Sequence, residues 1–219
     1  MAYLLDEQKI AFPHPSLADE DGLLAIGGDL QPARLILAYQ HGIFPWYDED
    51  SPILWYAPLM RFVIPCENIH VSKSLKQVIK SKKFRVTANQ DFQVVIKNCA
   101  EISRKDQAGT WIIQEMIEAY IRLHELGIAH SIEVWENDEL VGGLYGVLIG
   151  RVFCGESMFS KVSNASKIAL VHLATSYDIQ LIDCQFPTEH LLSMGASSMP
   201  QKEFLSILAK QETTAYGLQ

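Results

Sequence analysis

No two of the four cysteines are close enough in sequence to make a CxxC pair. Cys66, Cys99, Cys154 and Cys184 stand 33, 55 and 30 residues apart. That spacing gives no zinc knuckle or dithiol centre and reads as buried, reduced thiols. The seven histidines are no more suggestive of a metal. The segment HELGIAH, 124–130, needs a histidine at 128 to form a helical zinc-binding pair, and Ile128 stands there. Neither a metal nor a cofactor is expected. The first residues, MAYLLDEQK, carry acids where an export signal carries basic residues. The longest uncharged apolar run, LVGGLYGVLIG at 140–150, is too short to span a bilayer. A cytoplasmic protein without a membrane partner is therefore expected, and a monomer. Repeats and low-complexity segments are missing too.

One further absence is local. From Asn68 to Gln90 there is no acidic residue, while Lys73, Lys76, Lys80, Lys82, Lys83 and Arg85 all fall in that stretch. The whole chain carries −8; without those six, 12 basic residues face 26 acidic ones and the remainder stands at −14. Basic charge so focused in an acidic protein points to a phosphate-rich partner. A solvated helix face is the plainer alternative.

What is present is an ordinary globular composition, 48% hydrophobic and 20% charged over 219 residues. Residues 12–31 read as loop. PARLILAYQHG predicts a helix opened by Pro32 and stopped at Gly42. IFPWYDEDSPILWYAP then crowds Trp46, Tyr47, Trp55 and Tyr56 together, as an aromatic interface or a platform for stacking a base. Apolar and lysine positions segregate over 73–83, giving an amphipathic helix capped by Ser72. A second helix fits IIQEMIEAYIRLHELG. HSIEVWE, ELVGGLYGVLIG and RVFCGESMFS read as three consecutive strands. NASKIALVHLATSY is helical, QLIDCQF is a buried strand, and two short helices finish the chain. The expected fold class is α+β, with a small N-terminal domain over 1–61 and a larger domain over 62–219.

Two acids sit in apolar strands, Glu156 in CGESMFS and Asp183 in LIDCQ. A buried carboxylate is costly unless it is paired or hydrogen-bonded, so both are candidates for chemistry on a cationic or amine-bearing substrate. Alternation along a strand places Asp183 and Gln185 on one face and Ile182 and Cys184 on the other.

Taken in order, GLLAIGGDL, AYQHGIFPW, PILWYAP, HVSKSL, GTWI, AYIRLHELGIAHSIEVW, LVGGLYGV, FCGESMFS, NASKIAL and LIDCQ closely resemble the leucyl/phenylalanyl-tRNA–protein transferase family, from about residue 10 to about residue 208. The resemblance implies a GNAT-like acyltransferase core, a mixed sheet flanked by helices. It implies transfer of Leu or Phe, and less readily Met, from aminoacyl-tRNA to the N-terminal Arg or Lys of a protein, marking it for N-degron degradation. It carries catalytic roles to Glu156, Asp183 and Gln185. Tyr39 and Trp46 match positions that hold the terminal adenosine, and Trp111 matches another site aromatic. The pocket for the Leu or Phe side chain carries over to Leu144, Phe153, Met158, Leu170, Leu173 and Ile182. Lys73, Lys76, Lys80, Lys83 and Arg85 are expected to meet tRNA phosphates.

Two positions depart from the family pattern. Leu144 stands where well-known relatives have Met, and Thr188 where some have Asn. The expected mechanism has Asp183 polarise Gln185 and finally take the amine's proton, with Glu156 attracting the acceptor's positive charge. Alternatives are a Fem-type tRNA-dependent peptidoglycan aminoacyltransferase and an acyl-CoA N-acyltransferase. The second needs a pyrophosphate loop before the helix at 164–176, where the chain reads FSKVSNAS.

Overall fold

The computed structural model describes residues 2–101, 112–211 and 218. Two sheets organise them. The first uses β1 (Tyr3–Leu5), β2 (Leu23–Gly27), β3 (Phe44–Pro45) and β4 (Leu54–Tyr56) in the order β1-β2-β4-β3, with α1 (Pro32–Gln40) between β2 and β3. The second has seven strands: β5 (Met60–Pro65), β6 (Arg85–Ala88), β7 (Ala129–Glu136), β8 (Glu139–Ile149), β9 (Val152–Ser160), β10 (Leu181–Gln185) and β11 (Ser197–Pro200), in the order β11-β5-β10-β9-β8-β7-β6. Its strands are antiparallel except for β9 with β10. The mixed sheet flanked by helices is therefore present.

The helices divide between the two faces. α3 (Phe92–Glu101) and α4 (Gln114–Glu125) bury Val95, Ile96, Met116 and Tyr120 in one core, together with Leu24, Leu35 and Trp55 of the N-terminal part. On the opposite face α5 (Ala165–Ser176) buries Ile168, Ala169, Leu170 and Leu173 against Leu144, Phe153 and Ile182. Leu75 of α2 (Lys73–Lys80) and Leu191 of α6 (Glu189–Ser193) join that second core, while Phe204 of α7 (Gln201–Leu208) joins the first.

Several elements follow the sequence signals. Pro32 opens α1, Ser72 caps α2 by accepting from the Leu75 amide at 3.2 Å, and β7–β8–β9 form a meander. Others do not. The lysine helix ends at Lys80 rather than residue 83, because Lys82 takes a positive φ of 54° and the chain then enters β6. Residues 12–31 include β2 as well as loop, and α3 fills 92–101, for which no element was read.

Two bulges shape the centre of the large sheet. Tyr145 pairs with Ser157 and Gly146 with Gly155, so Glu156 is the extra residue on β9. Asp183 pairs with Val63 and Gln185 with Phe62, so Cys184 is the extra residue on β10, and Gln185 has a φ of +62°. The parallel pairing of β10 with β9 covers only 181–183 against 152–154, whereas β9 continues to Ser160. Beyond Asp183 the two strands separate.

Gly146, opposite the β9 bulge, has to be glycine. A Cβ there would lie 2.2 Å from the Cys154 carbonyl oxygen and 2.6 Å from the Phe153 ring. Gly146→Ala should therefore destabilise the fold by about 2–3 kcal/mol, the upper part of the usual overpacking range. A urea midpoint unchanged from wild type would refute the packing argument.

Candidate active site

Where β9 and β10 separate, a cavity of about 690 Å³ opens, a size suited to a small organic ligand. Leu144, Phe153, Met158, Leu170 and Ile182 give it an apolar wall, and Glu156, Asp183 and Gln185 also line it. Of the six residues expected to form the side-chain pocket, Leu173 does not reach the cavity; it is fully buried in the core beneath α5. Trp46 lies on the lining, packed 5.2 Å from Phe186 and 5.6 Å from Tyr56 by ring centroids. Its three aromatic neighbours in sequence are placed otherwise. Trp55 is buried against Phe12 and donates to the Gly27 carbonyl, Tyr47 donates to Glu115, and Tyr56 packs on Phe44. Trp111 lies outside the described residues.

The polar residues form one connected chain. Gln185 Nε2 donates to Glu156 Oε1 at 2.8 Å, and Tyr120 donates to Glu156 Oε2 at 3.0 Å. The Tyr39 and Tyr120 hydroxyls share a hydrogen bond. Tyr39, expected at the donor's adenosine, is only 1% exposed and off the cavity lining; it lies beneath Glu156, beside Tyr120.

Burial pushes the Glu156 carboxyl up to about 7. Hydrogen bonds from Tyr39 and Tyr120 oppose that rise, the charge of Asp183 adds to it, and the Gln185 amide opposes it. Burial likewise holds both tyrosines well above their ordinary range, with the Glu156 charge as the next cause. They remain hydroxyl donors at any physiological pH.

Asp183 is placed differently from the expected mechanism. Arg61 on β5 holds both its oxygens: Nε donates to Oδ1 at 3.1 Å and a terminal nitrogen donates to Oδ2. Asp183 meets Gln185 through the Gln185 main-chain N–H, which donates to Oδ1 at 3.0 Å. The side-chain amide belongs to Glu156. Both Asp183 oxygens are thus engaged by one buried guanidinium.

Other reactive groups on the lining are quiet. Burial, then the charge of Asp183, raises the Cys184 pKa, so its sulfur remains a thiol and a weak nucleophile. His190, which no sequence pattern singled out, also lines the cavity; burial and then Lys167 lower its pKa and keep it neutral. Arg61 and Tyr120 escaped notice as well, because neither MRFVIP nor the α4 repeat marks them as more than core positions.

The basic cluster is only partly free. Lys83 pairs with Glu136 at 3.0 Å, and Arg85 pairs with Asp138 at 3.8 Å while lying over Trp135. Both acids come from the β7–β8 hairpin, beyond the reach of a local sequence window. Lys73, Lys76 and Lys80 are exposed and, among the described residues, have no ion pair.

Two family models match the chain: "Leucyl/phenylalanyl-tRNA protein transferase" over residues 63–209, and that family's N-terminal domain over 28–59. Proteins named leucyl/phenylalanyl-tRNA–protein transferase align over most of their length. One from Flavobacterium johnsoniae is 53% identical over 95% of this chain and 99% of its own. One from Anaeromyxobacter sp. (strain Fw109-5) is 52% identical over 93% and 88%, and one from Thermodesulfovibrio yellowstonii 54% over 94% and 85%. Among solved structures, a GCN5-related N-acetyltransferase from Kribbella flavida aligns with a TM-score of 0.39 at 7% identity, over 78% of this chain and 61% of that one. Identity above one half across nearly the whole length, with both family models matched in order, makes this chain an enzyme of the leucyl/phenylalanyl-tRNA–protein transferase family.

Proposed function

We propose that this enzyme transfers Leu or Phe, and less readily Met, from aminoacyl-tRNA to the N-terminal Arg or Lys of acceptor proteins in the cytoplasm, marking them for an N-degron route. The observation that carries the reading is a cavity apolar on one side, with the Gln185–Glu156 pair on its lining. An aminoacyl ester fits that division. Its side chain enters the apolar part, where each methylene is worth about 1–3 kcal/mol of discrimination, and its carbonyl lies toward the polar pair. Trp46 is the aromatic available to stack the terminal adenine, and Trp111 retains the site role that the family pattern gives it.

Chemistry follows from the ester's own activation, without a further energy source. The acceptor's α-amino group has an ordinary pKa near 7.7–8.0, so about a tenth is neutral at pH 7 and positioning matters more than strong basicity. Gln185 Nε2 is committed to Glu156, which leaves its Oε1 to accept from the attacking amine. The amine nitrogen forms the C–N bond and the ester C–O bond breaks. Glu156 takes the ammonium proton, which finally resides on the departing ribose hydroxyl. Asp183, paired with Arg61, holds Gln185 in place through the Gln185 main-chain N–H. Lys73, Lys76 and Lys80 supply the free part of the phosphate-binding face, with Lys83 and Arg85 joining it by exchanging their acidic partners.

The direct test is incubation of Phe-tRNA with a peptide beginning in Arg, which should give a Phe-Arg peptide bond without ATP. Absence of transfer, or transfer to a muropeptide instead, removes the reading. A second expectation concerns pH. Glu156 must be unprotonated to accept the proton, so kcat should fall as pH drops through about 7. Glu156→Gln should abolish that acidic limb and lower kcat by about 10²–10⁴-fold; an unchanged limb would assign it to another group. Third, changing Lys73, Lys76 and Lys80 to Gln should reduce the dependence of tRNA binding on log salt by about one for each lysine that meets a phosphate. An aminoacyl-adenosine donor should bind all variants alike, and equal weakening of both donors would remove the phosphate role.

A further inference from the structure

Arg61 stands in no sequence motif, yet it joins β10, the turn after α1, β3 and α7. It is 2% exposed, and its guanidinium lies 4.7 Å from the ring centroids of both Phe44 on β3 and Phe204 on α7. One terminal nitrogen donates to the Gly42 carbonyl at 3.0 Å, three residues after Tyr39. The rest of the fork engages Asp183. Asp183 Oδ1 thus receives two donors at once, the guanidinium and the Gln185 main-chain N–H.

That double acceptance has a geometric result. Gln185 lies just past the β10 bulge at a φ of +62°, a backbone conformation that a non-glycine residue adopts only when its surroundings hold it there. Asp183 is the side chain holding it, and Arg61 fixes Asp183. Two of the contacts that place Glu156, from Gln185 and from the Tyr39–Tyr120 pair, therefore approach through segments that Arg61 ties together.

Resting on the acyl-transfer reading above, we propose that Arg61 is a positioning residue of the transfer site: through Asp183 it sets the Gln185 bulge, and through Gly42 it braces the end of α1, so that Gln185 and Tyr39–Tyr120 meet the two oxygens of Glu156. It touches no substrate. A planar fork is required, because a lysine ammonium cannot bond both Asp183 oxygens and the Gly42 carbonyl while lying flat between two rings. The charge also matters. Glu156 is faced by Tyr39 from α1, Tyr120 from α4, Asp183 and Gln185 from β10, and Cys154 from its own strand, with Tyr145 of β8 behind Tyr120. Within that set Asp183 is the only other carboxylate, and Arg61 is its ion-pair partner.

The test uses three full-length variants, Arg61→Lys, Arg61→Met and Arg61→Met/Asp183→Asn, beside wild type. In Arg61→Lys, kcat should fall about 10²-fold, the scale of a misplaced reacting group, while the KM for Phe-tRNA stays within about twofold. In Arg61→Met the unpaired Asp183 charge should move the Glu156 carboxyl titration, followed by isotope-edited infrared spectroscopy, upward by about one to three pH units. The double variant should bring it back toward the wild-type value, because the amide oxygen introduced by Asp183→Asn still accepts from the Gln185 main chain and carries no charge.

A fall in active fraction with unchanged kcat per folded molecule would overturn the proposal. So would a Glu156 titration identical in all the forms that fold. If Arg61→Met does not fold, the lysine and double variants decide by the same two readouts. The infrared titration needs no substrate, so it judges Arg61 even if wild type fails to transfer Phe, an outcome that counts against the assigned reaction alone.

Discussion

A guanidinium and a carboxylate taken out of water need partners for their polar atoms, and Arg61 with Asp183 finds them on several separate elements. Asp183 accepts a third hydrogen bond from the Gln185 main chain, Arg61 donates to the Gly42 carbonyl, and two phenyl rings close over the guanidinium faces. Each of those partners belongs to a different element. Removing either charge strands the other in a low-dielectric interior, a loss of about 3–5 kcal/mol for typical buried pairs. The pair is thus a constraint on how the N-terminal sheet, the large sheet and α7 meet.

From that constraint the asymmetry of the two acids follows. Asp183 has a cation and Glu156 has only neutral donors, Tyr120 and Gln185. Neutral hydrogen bonds offset part of the burial cost without removing it, so the Glu156 carboxyl is pushed up to about 7 while its neighbour sits in an ion pair. Two carboxylates on adjacent strands thereby acquire different surroundings, one in an ion pair and one among neutral donors. Environment, not residue type, makes the distinction.

Much of this was legible in the sequence. The meander at 129–160, the helix at 165–176 and the buried strand LIDCQ follow from periodicity and turn chemistry, and the ordered motifs led to the right family. What periodicity could not supply was long-range pairing. Arg61 and Asp183 are separated by 122 positions, and Lys83 finds Glu136 across a sheet that no local window spans. The acid-free run was real as sequence, yet two of its six basic residues are neutralised by a hairpin that lies after them in the chain. The short strands β5, β6 and β11 were missed for a related reason: with four to six residues each, they are defined by their partners more than by their own pattern.

The parity of LIDCQ shows how a local rule fails usefully. Strict alternation places Asp183 and Gln185 on one face and Ile182 on the other, so a pocket using Ile182 and a catalytic pair using Gln185 looked incompatible. The bulge at Cys184 removes the conflict by advancing the register one residue, and the separation of β10 from β9 opens the strand's edge, so that residues of both parities reach one cavity. A matching bulge at Glu156 does the same on β9. Both acids sit where the ladder has been broken next to the point at which the strands part. Regular pairing at either position would return one partner of the Gln185–Glu156 contact to the wrong face. The irregularities of the sheet are therefore the means by which a buried strand presents an amide and a carboxylate to the same ligand.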